Sequence, residues 1–300
     1  MLSSKLKIWI LGIRPKTLAA SISPVIMGLA VAFNDRQNTL HLPAAILTFF
    51  AALLIQAGTN LSNDLFDYIK GADNKKRVGP LRIMQSGLVA KKEMLLGILI
   101  VFFLASACGV FLVIRGGLPI LIIGIISIIC GFLYTAGPRP LGYIGLGELF
   151  VLFFFGIIAF AGTYYIQTLV FSPILVVLGL IPGFFSVAIL SANNLRDIKT
   201  DREAGKKTLA VRFGYKFAIS EYVFCMLIPY ILLIIMVLTL QNHYYSLLSL
   251  VSIFFAVMPI RIVLNKNNHK PANLIYVLER TGQVMLIFSL IFCITWNINI

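Results

Sequence analysis

Two short segments of the chain concentrate polar and acidic side chains at regular spacing. The first contains Asn63 and Asp67, four residues apart. The second contains Asn193 and Asp197 at the same spacing, followed by Asp201. Residues three or four apart lie on one face of a helix, so each segment would present a stripe of oxygen atoms. Carboxylates on one face repel unless a cation lies between them, and the pattern therefore predicts two cation-binding helix faces.

The two segments contain oxygen ligands only, because none of the three His and four Cys residues of the chain lies in either. Hard oxygen donors suit Mg²⁺ rather than zinc or copper. Magnesium uses few protein ligands and completes its shell with water and substrate phosphates. Asp64 and Asn193 would either bind the metal or hold its ligands in place. The predicted Mg²⁺ ligands are Asn63, Asp67, Asp197 and Asp201.

Lysine and arginine residues accompany both acidic segments, and such cations bind phosphate oxygens. Together the two features predict a site for a diphosphate. A solvated loop with neutralising charges would explain either segment alone, but their matched spacing favours a shared site. For each cation, a role only in membrane orientation is the alternative. The predicted diphosphate contacts are Arg77, Arg82, Arg139 and Lys206.

The composition is that of a membrane protein. Hydrophobic residues make up 59% of the 300 positions and charged residues only 12%, about half the fraction of a soluble domain. The net charge of +14 would suit a nucleic-acid partner, but the positions of the basic residues argue for a lipid bilayer instead. Apolar runs of about twenty residues can cross a bilayer as helices. The predicted spans are 17–33, 43–62, 94–114, 118–135, 145–166, 171–192, 217–240, 245–263 and 276–296.

Basic residues predict the orientation of this all-α polytopic protein. Every Lys and Arg except Arg36 and Arg115 falls on one side of the predicted spans. By the positive-inside rule that side is cytoplasmic, which places the N-terminus and both acidic segments in the cytoplasm. Nine spans then put the C-terminus outside. We expect one membrane domain over 1–300, with a pseudo-repeat of segments 60–82 and 193–208 whose acidic helix ends face each other.

A series of short motifs extends over almost the whole length of the chain. The motifs are Arg14-Pro-Lys16, Asn63-Asp64-x2-Asp67, Arg77-x-Gly79-Pro80-Leu81-Arg82, Tyr134-Thr135-x-Gly137-Pro138, Gly145-x-Gly147-Glu148 and Asn193-Asn194-x-Arg196-Asp197-x3-Asp201. In these motifs the chain resembles the UbiA superfamily of intramembrane aromatic prenyltransferases, and within it the branch that prenylates 1,4-dihydroxy-2-naphthoate in menaquinone synthesis. A departure from the wider superfamily, Gly71 where a further Asp is common, is familiar in that branch.

The resemblance implies nine helices around a central cavity that opens to lipid. It implies Mg²⁺-assisted departure of diphosphate from a polyprenyl chain, attack of the carbocation on the ring of an aromatic acid and, for the naphthoate, loss of CO₂. Tyr134 would line the pocket. Arg14 and Lys16 would receive the aromatic carboxylate or only anchor the N-terminus, and Glu148 would accept a proton or only pack. The implied catalytic carboxylates are Asp64, Asp67, Asp197 and Asp201.

Other functions remain open from the residues alone. A secondary transporter would use the acidic segments as cation sites, although transporters usually place such residues near the bilayer midplane. A lipid-binding protein without activity is a third class. Within the enzyme class, another acceptor such as 4-hydroxybenzoate is the alternative. Nothing in the pattern indicates a nucleic-acid partner or determines the oligomeric state.

The orientation can be tested by labelling single cysteines in a variant that lacks the four native ones. We expect Asn38→Cys to react with a membrane-impermeant maleimide in intact cells, because it lies in a predicted external loop. Lys91→Cys, in a predicted cytoplasmic loop, should react only after permeabilisation. The opposite pattern would invert the proposed topology.

Overall fold

The computed structural model describes residues 4–73 and 79–298, and the regular structure in these ranges is entirely helical. A π-helical stretch, Phe153–Ile158, lies within the sixth helix, and the ninth begins with the 3-10 segment Tyr244–Ser252. The helices are α1 Ser4–Ile13, α2 Ala19–Asp35, α3 Leu42–Ile69, α4 Lys91–Gly116, α5 Leu118–Leu133, α6 Gly147–Thr168, α7 Ile174–Glu203, α8 Leu209–Leu240, α9 Tyr244–Leu264 and α10 Pro271–Thr295.

The predicted membrane architecture is confirmed, with a difference in the number of crossings. Over the described residues, seven helices are long and apolar enough to span a bilayer, and the bent pair α1 and α2 adds an eighth. The remaining predicted span corresponds to α5, which has only 16 residues. At 1.5 Å per residue α5 is about 24 Å long, shorter than the roughly 30 Å hydrocarbon core. Nine crossings is therefore an approximate description.

Two of the helices that extend well beyond their predicted spans are α3 and α7, which carry the acidic segments. Helix α3 has 28 residues and α7 has 30, which makes them about 42 and 45 Å long. Both exceed the thickness of the hydrocarbon core by two or more turns. The acidic segments occupy these last turns, so the fold places them at the membrane surface while they remain helical.

The chain bends sharply between α1 and α2. The axes of the two segments differ by 59°. Arg14 adopts a left-handed conformation (φ 58°) and Pro15 follows it, which ends α1. The buried amide of Asn60 on α3 donates to the carbonyl of Ile13 at 2.7 Å. This bond satisfies a carbonyl at the end of α1 and attaches the N-terminal segment to the helix that carries the first acidic motif.

Helix α7 is the centre of the bundle. Within its most apolar window 67% of residues are buried, against 17–44% for the other spanning helices. It packs against α2, α6, α8 and α10. Contact with α6 is close because glycines face each other: a Cβ on Gly156 would lie 2.7 Å from both the Gly179 carbonyl oxygen and the Gly183 Cα. Small residues permit such close approach of membrane helices.

This contact generates a stability prediction. Gly156→Ala should lower the thermal unfolding midpoint in detergent, with a cost of about 1–3 kcal/mol from overpacking. The matched control is Gly124→Ala on α5, where an added Cβ meets nothing within 4 Å. That change should be neutral or slightly stabilising, because Ala favours the helix more than Gly does. Equal midpoints for the two variants would show that the α6–α7 contact is not tight.

Candidate functional site

The first acidic motif lies on the last turns of α3, and its side chains divide between two surroundings. Asn63 and Asp67 line a polar cavity. Asp64 is buried and turns away: its carboxylate accepts backbone N–H bonds from Ile83 at 3.1 Å and Met84 at 3.3 Å. Asp64 therefore holds the loop after α3 in place, the supporting one of its two predicted roles, and the predicted catalytic role has no support in this geometry.

The second motif lies on the last turns of α7. The buried guanidinium of Arg196 donates to both carboxylate oxygens of Asp197, at 2.7 and 2.5 Å. It also donates to the side-chain oxygen of Asn193 at 2.5 Å. One arginine thus neutralises and orients the second motif from within its own helix. Arg196 is part of the sequence motif, but the spacing of the motif could not predict that its side chain contacts Asp197 and Asn193.

Lys206 joins the two motifs. Its ammonium lies 3.1 Å from Asp67 Oδ1 on α3 and 3.9 Å from Asp201 Oδ1 on α7. Burial opposes its charge, but the facing carboxylates of Asp67 and Asp201 outweigh that effect and raise the pKa of Lys206. The predicted juxtaposition of the two acidic helix ends is therefore present around a shared cation. Whether the motifs derive from a duplication stays a prediction.

A second cation supports the first motif. The side chain of Arg82 is buried, with Nη2 3.6 Å from Asp67 Oδ2 and Nε 3.3 Å from Asp73 Oδ2. Both Arg82 and Asp73 line the polar cavity. Asp73, which the sequence left unassigned, thus faces the same space as Asp67. The chain folds back after α3 to place these charges together.

The loop between α5 and α6 closes the site. Thr135 donates to Asn63 Oδ1 at 2.9 Å, and the Tyr143 hydroxyl donates to Asp67 Oδ1 at 2.8 Å. Burial, together with the charge of Asp67, raises the pKa of Tyr143, so the hydroxyl stays protonated and remains a donor. The Tyr143 ring lies between two ammonium groups, 4.7 Å from Lys206 and 5.0 Å from Lys70. Sequence reasoning missed Tyr143, because a tyrosine outside a motif carries no distinguishing signal.

Two cavities meet at this site. The polar cavity has a volume of about 200 Å³, and the charged residues that line it include Asp67, Asp73, Arg82, Asp197, Asp201 and Lys206. The apolar cavity, of about 500 Å³, lies among α2 to α6. Both are lined by Gln56, Thr59, Tyr134, Val151 and Phe155, so the cavities are contiguous. A ligand with a charged head and a long apolar tail would fit across this junction.

The remaining predicted residues are placed as follows. Tyr134 lines both cavities, in agreement with its predicted pocket position. Lys16 pairs instead with Glu279 at the surface, while its neighbour Arg14 lines the polar cavity. Arg139 is exposed and does not line the polar cavity. Arg77 lies outside the described residues.

The oxygen donors around the polar cavity fit a metal that is shared with a phosphate ligand. Asn63, Asp67, Asp197 and Asp201 all line it, and they offer the hard donors that Mg²⁺ prefers. Within 4–73 and 79–298, no group of three or more His, Cys, Asp or Glu residues is arranged to hold a metal by itself.

Comparison with known proteins agrees with this geometry. The model of the UbiA prenyltransferase family matches residues 21–290. The 1,4-dihydroxy-2-naphthoate octaprenyltransferase of Escherichia coli (strain K12) is 35% identical over 296 residues, covering 96% of this chain and 94% of that protein. The protein of the same name from Mycobacterium tuberculosis is 33% identical over 285 residues, covering 94% of each.

Solved structures share the fold at lower identity. A UbiA homolog from Archaeoglobus fulgidus bound to GPP and Mg²⁺ aligns with a TM-score of 0.71 and 18% identity, covering 97% of this chain and 100% of that one. Digeranylgeranylglyceryl phosphate synthase aligns with a TM-score of 0.65 and 21% identity, covering 98% and 99%. The chain belongs to the UbiA prenyltransferase family and is a prenyl-transferring enzyme of the membrane.

Proposed function

We propose that this enzyme transfers a polyprenyl group from polyprenyl diphosphate to 1,4-dihydroxy-2-naphthoate and releases diphosphate and CO₂. The observation that carries the proposal is the junction of a charged cavity, built from both acidic motifs, with an apolar cavity of about 500 Å³. Relatives named for this acceptor align over nearly the whole chain. The reaction would take place at the cytoplasmic face of the cell membrane, where the positive-inside rule predicts the motifs to lie.

The diphosphate head would occupy the polar cavity. Lys206 and Arg82 would donate to its oxygens, since both cations line this cavity within 4 Å of Asp67. Negative charge that develops on the leaving group is stabilised most effectively by fixed cations in a site shielded from water. Both side chains are largely buried, which strengthens their interaction with that charge.

Mg²⁺ is the metal that we propose for the site. Asn63, Asp67, Asp197 and Asp201 would hold it together with diphosphate oxygens, and Asp73 faces the same space. When bound, the ion would neutralise charge on the leaving diphosphate. The protein's own contribution is to keep these carboxylates apart from bulk water and separated from one another by Arg82, Arg196 and Lys206.

The polyprenyl chain would extend into the apolar cavity. Its walls include Val25, Ile55 and Phe154, and the burial of each methylene contributes roughly 0.8 kcal/mol. The allylic carbon, next to the diphosphate, would then lie near Tyr134, where the cavities meet. An apolar wall here would limit the access of water to a carbocation.

The alternatives have less support. A secondary transporter is incompatible with membership of a prenyl-transferring family. Its coupling residues would also be expected near the bilayer midplane, whereas these carboxylates lie on the last turns of α3 and α7. An acceptor such as 4-hydroxybenzoate remains the rival within the enzyme class, and the assay below separates the two acids.

Purified enzyme should convert polyprenyl diphosphate and 1,4-dihydroxy-2-naphthoate to prenylated product and CO₂, measured by mass spectrometry. Activity should disappear with EDTA and return with Mg²⁺. Asp67→Asn and Asp197→Asn should each reduce kcat/KM by roughly 10²-fold or more, because each removes charge from the proposed metal and diphosphate site. Asp35→Asn is the matched control: Asp35 accepts from Tyr164 and does not line the polar cavity.

Each outcome of this assay has a distinct meaning. Product with 4-hydroxybenzoate but none with the naphthoate would replace the proposed acceptor. Full activity of folded Asp67→Asn and Asp197→Asn proteins would show that the acidic motifs are not part of the site. Activity in EDTA would show that the reaction needs no metal.

Two adjacent lysines allow a role in diphosphate binding to be distinguished from a role in membrane orientation alone. Lys206 faces Asp67 and Asp201, whereas Lys207 is exposed. Lys206→Gln should raise KM for polyprenyl diphosphate and lower kcat, with a combined loss of roughly 10²-fold, because an interaction with the leaving group is removed. Lys207→Gln removes the same charge from the same loop. Its kcat/KM should stay within about twofold of the wild-type value, because salt screens a surface charge. Equal losses in both variants would favour the orientation role.

A further inference from the structure

Glu148 lines the polar cavity and, within 4–73 and 79–298, forms no ion pair with a cation. Asp67, Asp73, Asp197 and Asp201 line this cavity too, and each lies within 4 Å of Lys206, Arg82 or Arg196. Glu148, by contrast, is buried on α6 and accepts one bond from the side-chain amide of Asn194 at 2.8 Å. Among the described residues of the cavity wall it is thus chemically different from the proposed metal and diphosphate ligands.

The position of Glu148 is also different. Val151 and Phe155, three and seven residues later on α6, line both cavities. Residues at this spacing lie on one face of a helix, so Glu148 is one turn from the junction. Tyr134 marks the same place, since a Cβ on Gly147 would lie 2.8 Å from the Tyr134 hydroxyl. The side chain therefore faces the end of the polar cavity where the allylic carbon and an aromatic acceptor would meet.

We propose that Glu148 accepts the proton of the acceptor's ring hydroxyl as the new carbon–carbon bond forms. This inference rests on the proposed function and assigns a residue to its proton transfer. Among the described residues Glu148 makes no ion pair, so its carboxylate is available to a ligand, whereas the four aspartates of the cavity are engaged by cations. Its place in the first turn of α6 favours a carboxylate there, and Asn194 holds its orientation.

The step balances without a further reactant. The bond between the allylic carbon and the diphosphate oxygen breaks, and the electron pair leaves on diphosphate. The ring carbon that bears the carboxylate forms the new bond to the allylic carbon, while the neighbouring hydroxyl becomes a carbonyl and its proton passes to Glu148. Loss of CO₂ returns an electron pair to the ring. The carbonyl oxygen then takes the proton back, which leaves the hydroquinone product and an ionised Glu148.

The test compares Glu148→Gln with Glu93→Gln. Glutamine retains an oxygen that can accept from Asn194 but is not a base. We expect Glu148→Gln to lower kcat by roughly 10²-fold or more, the usual contribution of a general base, with KM for polyprenyl diphosphate unchanged. Glu93 is exposed on α4 and does not line the polar cavity, so Glu93→Gln should keep kcat within about threefold. Glu148→Asp, which keeps the carboxylate, should restore part of the rate.

A second acceptor separates proton transfer from charge stabilisation or packing. The ratio of wild-type to Glu148→Gln kcat should shrink for a ring-fluorinated naphthoate, whose more acidic hydroxyl needs less help from a base. An unchanged ratio, a change confined to KM, or a loss shared by Glu148→Asp would each overturn the inference. If Glu148→Gln fails to fold, the ratio of wild-type to Glu148→Asp kcat is compared between the two acceptors instead, and it too should shrink for the fluorinated naphthoate. Failure of wild type with the naphthoate would instead overturn the proposed function.

Discussion

The site depends on keeping like charges together at the ends of two helices. Four aspartates from α3, α7 and the loop after α3 face one cavity, and alone they would repel one another. Lys206, Arg82 and Arg196 lie between or beside them and balance the charge. Removing one partner of a buried ion pair costs about 3–5 kcal/mol, so these cations also hold the ends of the bundle together. A diphosphate and its metal would enter a site whose charges are already arranged.

Helix length explains why this charged site can exist in a membrane protein. Charges at the bilayer centre are expensive, and α3 and α7 avoid that cost by continuing beyond the hydrocarbon region. The same helices line the apolar cavity or support its wall, through Ile55 on α3 and the glycine contact between α6 and α7. One set of continuous helices therefore carries both the polar and the apolar part of the site.

The loops complete the chemistry. Asp64 fixes the chain around Ile83 and Met84, which brings Arg82 towards Asp67. The α5–α6 loop supplies Tyr143, and its carbonyl accepts from the backbone of Lys207 at 2.8 Å, next to Lys206. Three chain segments that are distant in sequence thus support one another at the mouth of the cavity. Glu148 follows directly from this loop, at the start of α6, one turn before Val151 at the junction of the cavities.

The sequence by itself determined the all-helical membrane architecture and the continuation of α3 and α7 into acidic ends. These features follow from apolar length, charge and helical spacing, which are properties of local sequence. Only the tertiary structure decided that Asp64 faces a loop, that Lys16 pairs with Glu279, and that Tyr143 and Glu148 face the cavity. Those outcomes depend on which side chains distant in sequence become neighbours. Spacing along one helix contains no information about partners on another.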